Sequence, residues 1–330
     1  MANRFFLWGM HDAEPAAFTP SPDGTGDHPD VRYFLRVAHE LDALRPGGDE
    51  TFLLTWHADR FEERFRDSVV LFINDEKHQV PSYAGAVRAI FKTGGVHRNP
   101  LRHTLRFPPS VSSRLLLREA RNLALAARRR LRTRQTRGAP LYDVPLGYFG
   151  LEDVPAIAFD ERPVDVSFAG SVEPEHFTLR PRLAARWQMA AALEAAAAQI
   201  PDLRVDFSPG GPMANPQEML AAGDYSTRLM RSRIVLCPRG NIDETYRLLE
   251  SARSGCVAIT ERLPERWYYR DSPAVQLERW ADLPGVLREL LADPVALAER
   301  GAAMRRWWDA ALDEKAVARY IARHIDALDG

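Results

Sequence analysis

The sequence predicts an α/β protein in two parts, an irregular α/β unit followed by a βαβαβα unit built on a parallel sheet. Short apolar runs rich in Val, Ile, Leu and Phe alternate with segments of helical periodicity. A stretch dense in Pro and Gly near residues 140–160 divides them, through Pro140, Pro145, Gly147, Gly150, Pro155 and Pro163. Length agrees, since 330 residues is room for two domains of ordinary size. At 45% hydrophobic and 27% charged residues, the composition is that of an ordinary globular chain.

In the first half, Phe5–Trp8, Thr51–Trp56 and Ser68–Asn74 are strands, and Val31–Leu44 is a helix with apolar residues at helical spacing. The segment from Pro15 to Pro29, rich in Pro, Gly and Asp, is expected to be a loop. Ala84–Lys92 fits a strand or a short helix. Arg114–Arg134 reads as a long arginine-rich helix, stopped by Gly138 and Pro140. Its plain reading is a solvated face with Leu and Ala turned inward. Its sharper one is a basic face for an anionic membrane surface or a polyanionic acceptor.

The second half reads βαβαβα. Val164–Phe168, Leu203–Phe207, Ile234–Cys237 and Cys256–Thr260 are strands. Helices fall at Arg182–Gln199, Tyr225–Arg231, Glu244–Ser254, 282–292 and 294–309, with a last one at Glu314–Leu328. Such a sheet binds ligands at the carboxyl ends of its strands.

Global charge names no partner. The formal net charge of -1 gives no case for nucleic acid. No apolar run is long enough to span a bilayer, and the opening MANRFFLWGMHDAEP reads as a first strand rather than a signal peptide. Two cysteines, Cys237 and Cys256, cannot make a thiol zinc site, and a cytoplasmic location is expected.

The chemistry concentrates between Arg233 and Thr260: strand, polar turn, helix, glycine stop, strand. Pro238 ends the strand because it cannot donate to the ladder. Arg239, Gly240 and Asn241 make the turn, and Asp243 or Asn241 is expected to cap the helix. A helix N-terminus offers unpaired N–H groups to an anion, and Arg239 and Arg247 add full charge with planar forks suited to phosphate. Glu250 lies one turn beyond Arg247, where a carboxylate accepts hydrogen bonds from ribose hydroxyls. Gly170 and Ser171 give a second close approach of backbone to ligand. The combination suits a sugar nucleotide better than a bare phosphate. The plainer alternative is an ordinary βαβ unit whose Arg247 and Glu250 form a surface salt bridge.

The order CPRGN, Thr245-Tyr246-Arg247, Glu250-Ser251-Ala252 and Ser254-Gly255-Cys256-Val257 resembles the signature of exostosin-like glycosyltransferases. The run Asp165–Gly170 (DVSFAG) resembles that family's strand-to-glycine turn, and the likeness covers roughly residues 160–285. Ser251 departs from the Ala usual after the Glu, and the first half matches only loosely. The resemblance implies a GT-B architecture, two Rossmann-like domains facing across a cleft. Residues 1–150 would form the acceptor side, 151–310 the nucleotide-sugar side, and 311–330 a helix crossing back to the first domain. The implied activity is transfer of a sugar from a nucleotide-sugar donor to a hydroxyl of a glycan, lipid-linked or small-molecule acceptor. It would invert configuration and need no metal or other cofactor. Arg239, Gly240, Asn241, Thr245, Arg247, Glu250, Gly170 and Ser171 would hold the donor.

An inverting transfer needs a base from the first half. Three polar clusters follow three strands: His11 and Asp12, His57, and Asp75 with Glu76. Glu76 and Asp75 are the first candidates and Asp12 the next. The DEKH string has no phosphate loop to make it a helicase motif. The rival readings are a non-catalytic nucleotide-sugar module, a sugar-nucleotide epimerase of the same fold, and a structural partner in polysaccharide assembly. Oligomeric state is left open.

Overall fold

The computed structural model describes residues 2–24, 31–75, 79–95, 116–117, 120–121, 124, 138–149, 151–172, 181–210, 222–240 and 242–329. Its strands are β1 (Arg4–Trp8), β2 (Ala16–Phe18), β3 (Thr51–Thr55), β4 (Val69–Phe72), β5 (Ala89–Lys92), β6 (Leu141–Asp143), β7 (Val164–Ser171), β8 (Val205–Gly210), β9 (Ser232–Cys237), β10 (Val257–Glu261) and β11 (Val275–Leu277). Its α-helices are α1 (Arg32–Leu44), α2 (Pro181–Gln199), α3 (Ala222–Met230), α4 (Tyr246–Arg253), α5 (Leu283–Ala292), α6 (Pro294–Trp307) and α7 (Glu314–Asp329). The predicted arginine-rich helix Arg114–Arg134 lies almost entirely outside the described residues. The chain divides into two compact Rossmann-like units, Met1–Gly147 with Asp313–Gly330, and Tyr148–Leu312.

The first unit is a six-stranded sheet in the order β2-β1-β3-β4-β5-β6. β2 runs antiparallel to β1, and every other neighbour is parallel. Register aligns Phe6, Leu53, Val70, Ile90 and Leu141 in one row across the sheet. That row packs with Trp8, Phe65, Phe72, Tyr83 and Val87 into a single apolar cluster. Burial on both faces explains why β3 and β4 read as unbroken apolar runs rather than alternating ones. Helix α1 buries Phe34, Val37, Ala38 and Leu41, and α7 buries Val317, Ile321 and Ile325 at four-residue spacing. The two helices pack against each other. Arg45 after α1 pairs with Asp326 of α7, and Arg88 pairs with Asp329.

Two expectations are corrected here. The segment from Pro15 to Pro29 is not all loop, because Ala16–Phe18 pairs with Leu7–Phe5 along the open edge of β1. That edge needs partners for its backbone groups, and three residues suffice to supply them. Ala84–Lys92 resolves into a turn followed by β5, with no helix.

The second unit is a five-stranded parallel sheet in the order β11-β10-β9-β7-β8. Its first strand, β7, is therefore interior, with the second strand on one side and the third on the other. Val166 stands opposite Ile234 and Val205 in a core that also takes Phe168, Met189, Leu193, Leu236, Val257, Ile259, Leu283 and Leu287. Helix α2 supplies Ala185, Met189, Ala192, Leu193 and Ala196, one face of a 3.6-residue period.

Helix α4 stops as expected at Gly255, whose φ is +63°. The Gly255 N–H donates to the Ala252 carbonyl at 3.1 Å and the Cys256 N–H to the Ser251 carbonyl at 2.9 Å. This is a Schellman ending, which needs a left-handed residue at that position. Ser251 is fully buried, and its hydroxyl donates to the Arg247 carbonyl at 2.5 Å. The departure from Ala is thus accommodated by a bond inside the helix itself. Beneath it, Arg162 donates to the carbonyls of Ser232 at 2.8 Å and Ser254 at 2.9 Å, tying the start of β9 to the end of α4.

Candidate functional site

In an open parallel sheet, a crevice forms where the chain leaves two neighbouring strands in opposite directions. In the second unit these strands are β7 and β9, since β7 leads to β8 on one side and β9 to β10 on the other. Gly170 and Ser171 are the last two residues of β7, and Pro238-Arg239-Gly240 follow the end of β9. Of the sequence-predicted donor residues, Gly170 on β7 and Arg247 on α4 meet at this switch point.

Arg247 is the centre of this group. It is 9% exposed, and its guanidinium lies over the Phe168 ring at 4.6 Å. Its Nη2 donates to the Ala169 carbonyl. Its Nε and Nη1 are buried with no hydrogen-bond partner, and no carboxylate forms an ion pair with it among the described residues. A buried unsatisfied donor costs about 1–3 kcal/mol, more when charged. Gly170 makes the approach possible: its φ is +150°, and a Cβ there would stand 2.6 Å from Arg247 Nη2.

Arg239 differs. Its guanidinium pairs with Asp243 at 2.6 Å, and its N–H donates to Glu261 Oε2 at 2.7 Å. Burial raises the Glu261 pKa, against the pull of Arg239. Gly240 is crowded by its own chain, since a Cβ would meet the Glu244 carbonyl oxygen at 2.7 Å. Ser171 accepts from Arg186 through Oγ at 2.7 Å and through its carbonyl at 3.2 Å. Asn241 lies outside the described residues.

The expected cap is corrected. Helix α4 begins at Tyr246 with extended Thr245 as its N-cap, and no side chain caps it. Asp243 instead turns to Arg239, a full charge that outbids a backbone N–H. The salt-bridge reading of Arg247 and Glu250 is also not what forms. Glu250 is 3% exposed, accepting from the Phe149 N–H at 2.9 Å and the Tyr225 hydroxyl at 2.7 Å. Burial raises its pKa despite these donors. Each carboxylate oxygen keeps a second lone pair. Sequence reading missed Arg186, Phe149 and Tyr225, which bear on the site across 15, 101 and 25 residues and leave no local signal.

Trp267-Tyr268-Tyr269 form a packed edge. Tyr268 and Tyr269 are buried, and the Tyr268 hydroxyl donates to Glu244 Oε1 at 2.6 Å. Glu244 also pairs with Arg266 at 2.5 Å, so its charge is consumed internally.

In the first unit, the predicted polar clusters follow β1, β3 and β4. Glu76 lies outside the described residues. Asp75 is 5% exposed and forms an ion pair with fully buried Lys92 at 2.8 Å. Asp12 accepts the Gly9 N–H through Oδ2 at 2.8 Å, and His11 is exposed. His57 Nε2 stands 3.0 Å from the Gly9 carbonyl oxygen. Among the described residues no three His, Cys, Asp or Glu side chains converge as metal ligands would, and no helix is long and apolar enough to cross a membrane.

No protein-family model matches the chain, and no curated protein matches it in sequence. Solved structures that the chain resembles include GT-B glycosyltransferases. Sucrose-phosphate synthase from Thermosynechococcus elongatus matches with a TM-score of 0.49 and 12% identity, over 93% of this chain and 96% of that one. A mutant of S. aureus TarM, in complex with fondaparinux, α-GlcNAc-glycerol and UDP, matches with a TM-score of 0.45 and 9% identity over 86% of this chain. The chain spans about half, 52%, of the TarM chain's length. The glycosyltransferase SnogD from Streptomyces nogalater matches with a TM-score of 0.39 and 13% identity, over 98% of this chain and 100% of that one.

Proposed function

We propose that the chain is an exostosin-like GT-B glycosyltransferase. It moves a sugar from a nucleotide-sugar donor to a hydroxyl of a glycan, lipid-linked or small-molecule acceptor, with inversion and without a metal. The second unit takes the donor and the first handles the acceptor. The observation that carries the reading is Arg247: a buried guanidinium at the β7–β9 switch point whose Nε and Nη1 find no hydrogen-bond partner, and which has no ion-pairing carboxylate among the described residues. A buried cation so arranged awaits an anion. The departing nucleoside diphosphate is that anion, and its charge develops in the transition state, where a fixed guanidinium stabilises it most. Glu250, one turn further along α4, accepts from ribose through its remaining lone pairs.

The test is calorimetry against a panel of UDP-, GDP-, dTDP- and ADP-sugars. Wild type is expected to bind at least one of them and Arg247→Ala none at comparable affinity. A folded protein that binds none of the panel ends the proposal.

One observation favours a second reading. Asp75, among the first base candidates, is engaged in a buried ion pair with Lys92 rather than turned to an acceptor hydroxyl. A chain without a working base would be a nucleotide-sugar-binding module. It would bind the donor and release no nucleotide.

A further inference from the structure

We infer that Tyr225 is a positioning residue of the second unit: it holds the Glu250 carboxylate so that both oxygens meet the two hydroxyls of a ribose, which restricts the donor to ribonucleotides. The inference rests on the transferase reading and adds to it the class of nucleotide.

Three segments of the second unit build this corner. Glu250 stands on α4, Tyr225 on α3, and Phe149 on the stretch that precedes β7. The Tyr225 hydroxyl donates to Oε2 at 2.7 Å and the Phe149 N–H to Oε1 at 2.9 Å. With one donor on each oxygen, the carboxylate cannot turn about its last torsion without breaking a bond. The two donors are also tied to each other, since the Glu152 N–H donates to the Ser226 hydroxyl at 2.9 Å. A second tie holds α3, where Arg228 pairs with Asp206 of β8 at 3.2 Å.

A carboxylate oxygen accepts through two lone pairs, and each oxygen here has committed one. One acceptor is left on each of two neighbouring oxygens. Two hydroxyls on adjacent carbons match that pair, and the 2′ and 3′ hydroxyls of ribose are such hydroxyls. A 2′-deoxyribose leaves one acceptor of a buried carboxylate unmet, and a site built for a hydroxyl discriminates strongly against the analogue that lacks it.

Tyr225 suits the task because its hydroxyl keeps its hydrogen. Burial, with the Glu250 charge beside it, holds the phenol well above its ordinary 10, against the pull of Arg247. The bond acts on Glu250 in turn. Burial raises the Glu250 pKa, and the Phe149 and Tyr225 hydrogen bonds oppose it together with the charges of Arg247 and Arg253. Tyr225 thus favours the ionised form, which only accepts.

The experiment uses the full chain and titration calorimetry. The probes are UDP, GDP and ADP, the 2′-deoxy form of each, and inorganic pyrophosphate. Wild type is expected to bind at least one ribonucleoside diphosphate about 10-fold or more tightly than its 2′-deoxy form, the scale of one hydrogen bond to a charged group. Tyr225→Phe is expected to bring that ratio within about threefold, while pyrophosphate binds within about twofold of wild type. A merely structural tyrosine would leave the ratio unchanged, or weaken pyrophosphate and nucleotide together, and either result overturns the proposal. Wild type that binds both forms equally, or that binds sugar nucleotides but no nucleoside diphosphate, overturns it too and leaves the transferase reading standing. Wild type that binds no nucleoside diphosphate and no sugar nucleotide overturns that reading, and this proposal with it. Should Tyr225→Phe fold poorly, Glu250→Gln decides: a ribose preference kept at its wild-type value overturns the proposal, and its loss with pyrophosphate binding unchanged supports it.

Discussion

Gly170 and Arg247 lie 77 positions apart in sequence and share one space: a Cβ at 170 would stand 2.6 Å from the arginine's Nη2. The glycine keeps a strand end bare so that a cation can lie against the backbone and donate to the neighbouring Ala169 carbonyl. Gly170→Ala is expected to displace that guanidinium and strain a backbone at φ +150°. The stability loss should be on the order of 1–3 kcal/mol by urea denaturation, with donor affinity falling in the same preparation. A variant of wild-type stability and affinity would show that the close approach does not matter.

Arg247→Met should separate stability from function. It removes two buried unsatisfied donors, each costing roughly 1–3 kcal/mol, and keeps most of the side-chain volume. The urea midpoint is expected to stay level or rise, while donor affinity falls by roughly 2–5 kcal/mol. A large fall in the urea midpoint would mark Arg247 as structural.

Glu250 gives a pH signature of unusual sign. Burial raises its folded-state pKa above the ordinary 4.5, so the native state holds this proton more tightly than the unfolded state does. Its contribution to stability is fully present below the unfolded value and is lost as pH rises through the folded one. Glu250→Gln, which stays neutral, should therefore gain on wild type as pH rises above 4.5 toward neutrality. Paired urea titrations at several pH values check this, and parallel curves would contradict it.

Lys92→Met leaves Asp75 charged in a buried site. The expected loss is about 3–5 kcal/mol, and the double variant Lys92→Met with Asp75→Leu should recover much of it. Denaturation of all three proteins tests the pair; a harmless single variant would mean that the ion pair does not hold this site together.

The sequence read well where periodicity extends over many residues. Helices α1, α2 and α7 and strands β3, β4, β9 and β10 sit within a few residues of their predicted places, because an apolar period survives any tertiary context that buries it. Three-residue strands did not read at all: β2, β6 and β11 are too short to show alternation and exist by pairing with a neighbour. At the site, the arginines and glycines of the Pro-Arg-Gly turn were visible as a local cluster. Which arginine lacks a counter-ion among the described residues was not, since that depends on Asp243 turning back to Arg239 and on Phe149 and Tyr225 occupying Glu250. The orientation of His57 is likewise a property of a carbonyl 48 residues away.

The pairing of α1 with α7 has a consequence for how the chain is made. The first unit begins folding early, yet one wall of its core is a helix synthesised only after the whole second unit has emerged. Until then the side of α1 that meets α7 has no cover, so a chain cut before residue 313 lacks one wall of its first unit. Helix α7 therefore closes the first unit from a place in the sequence that lies beyond the whole of the second.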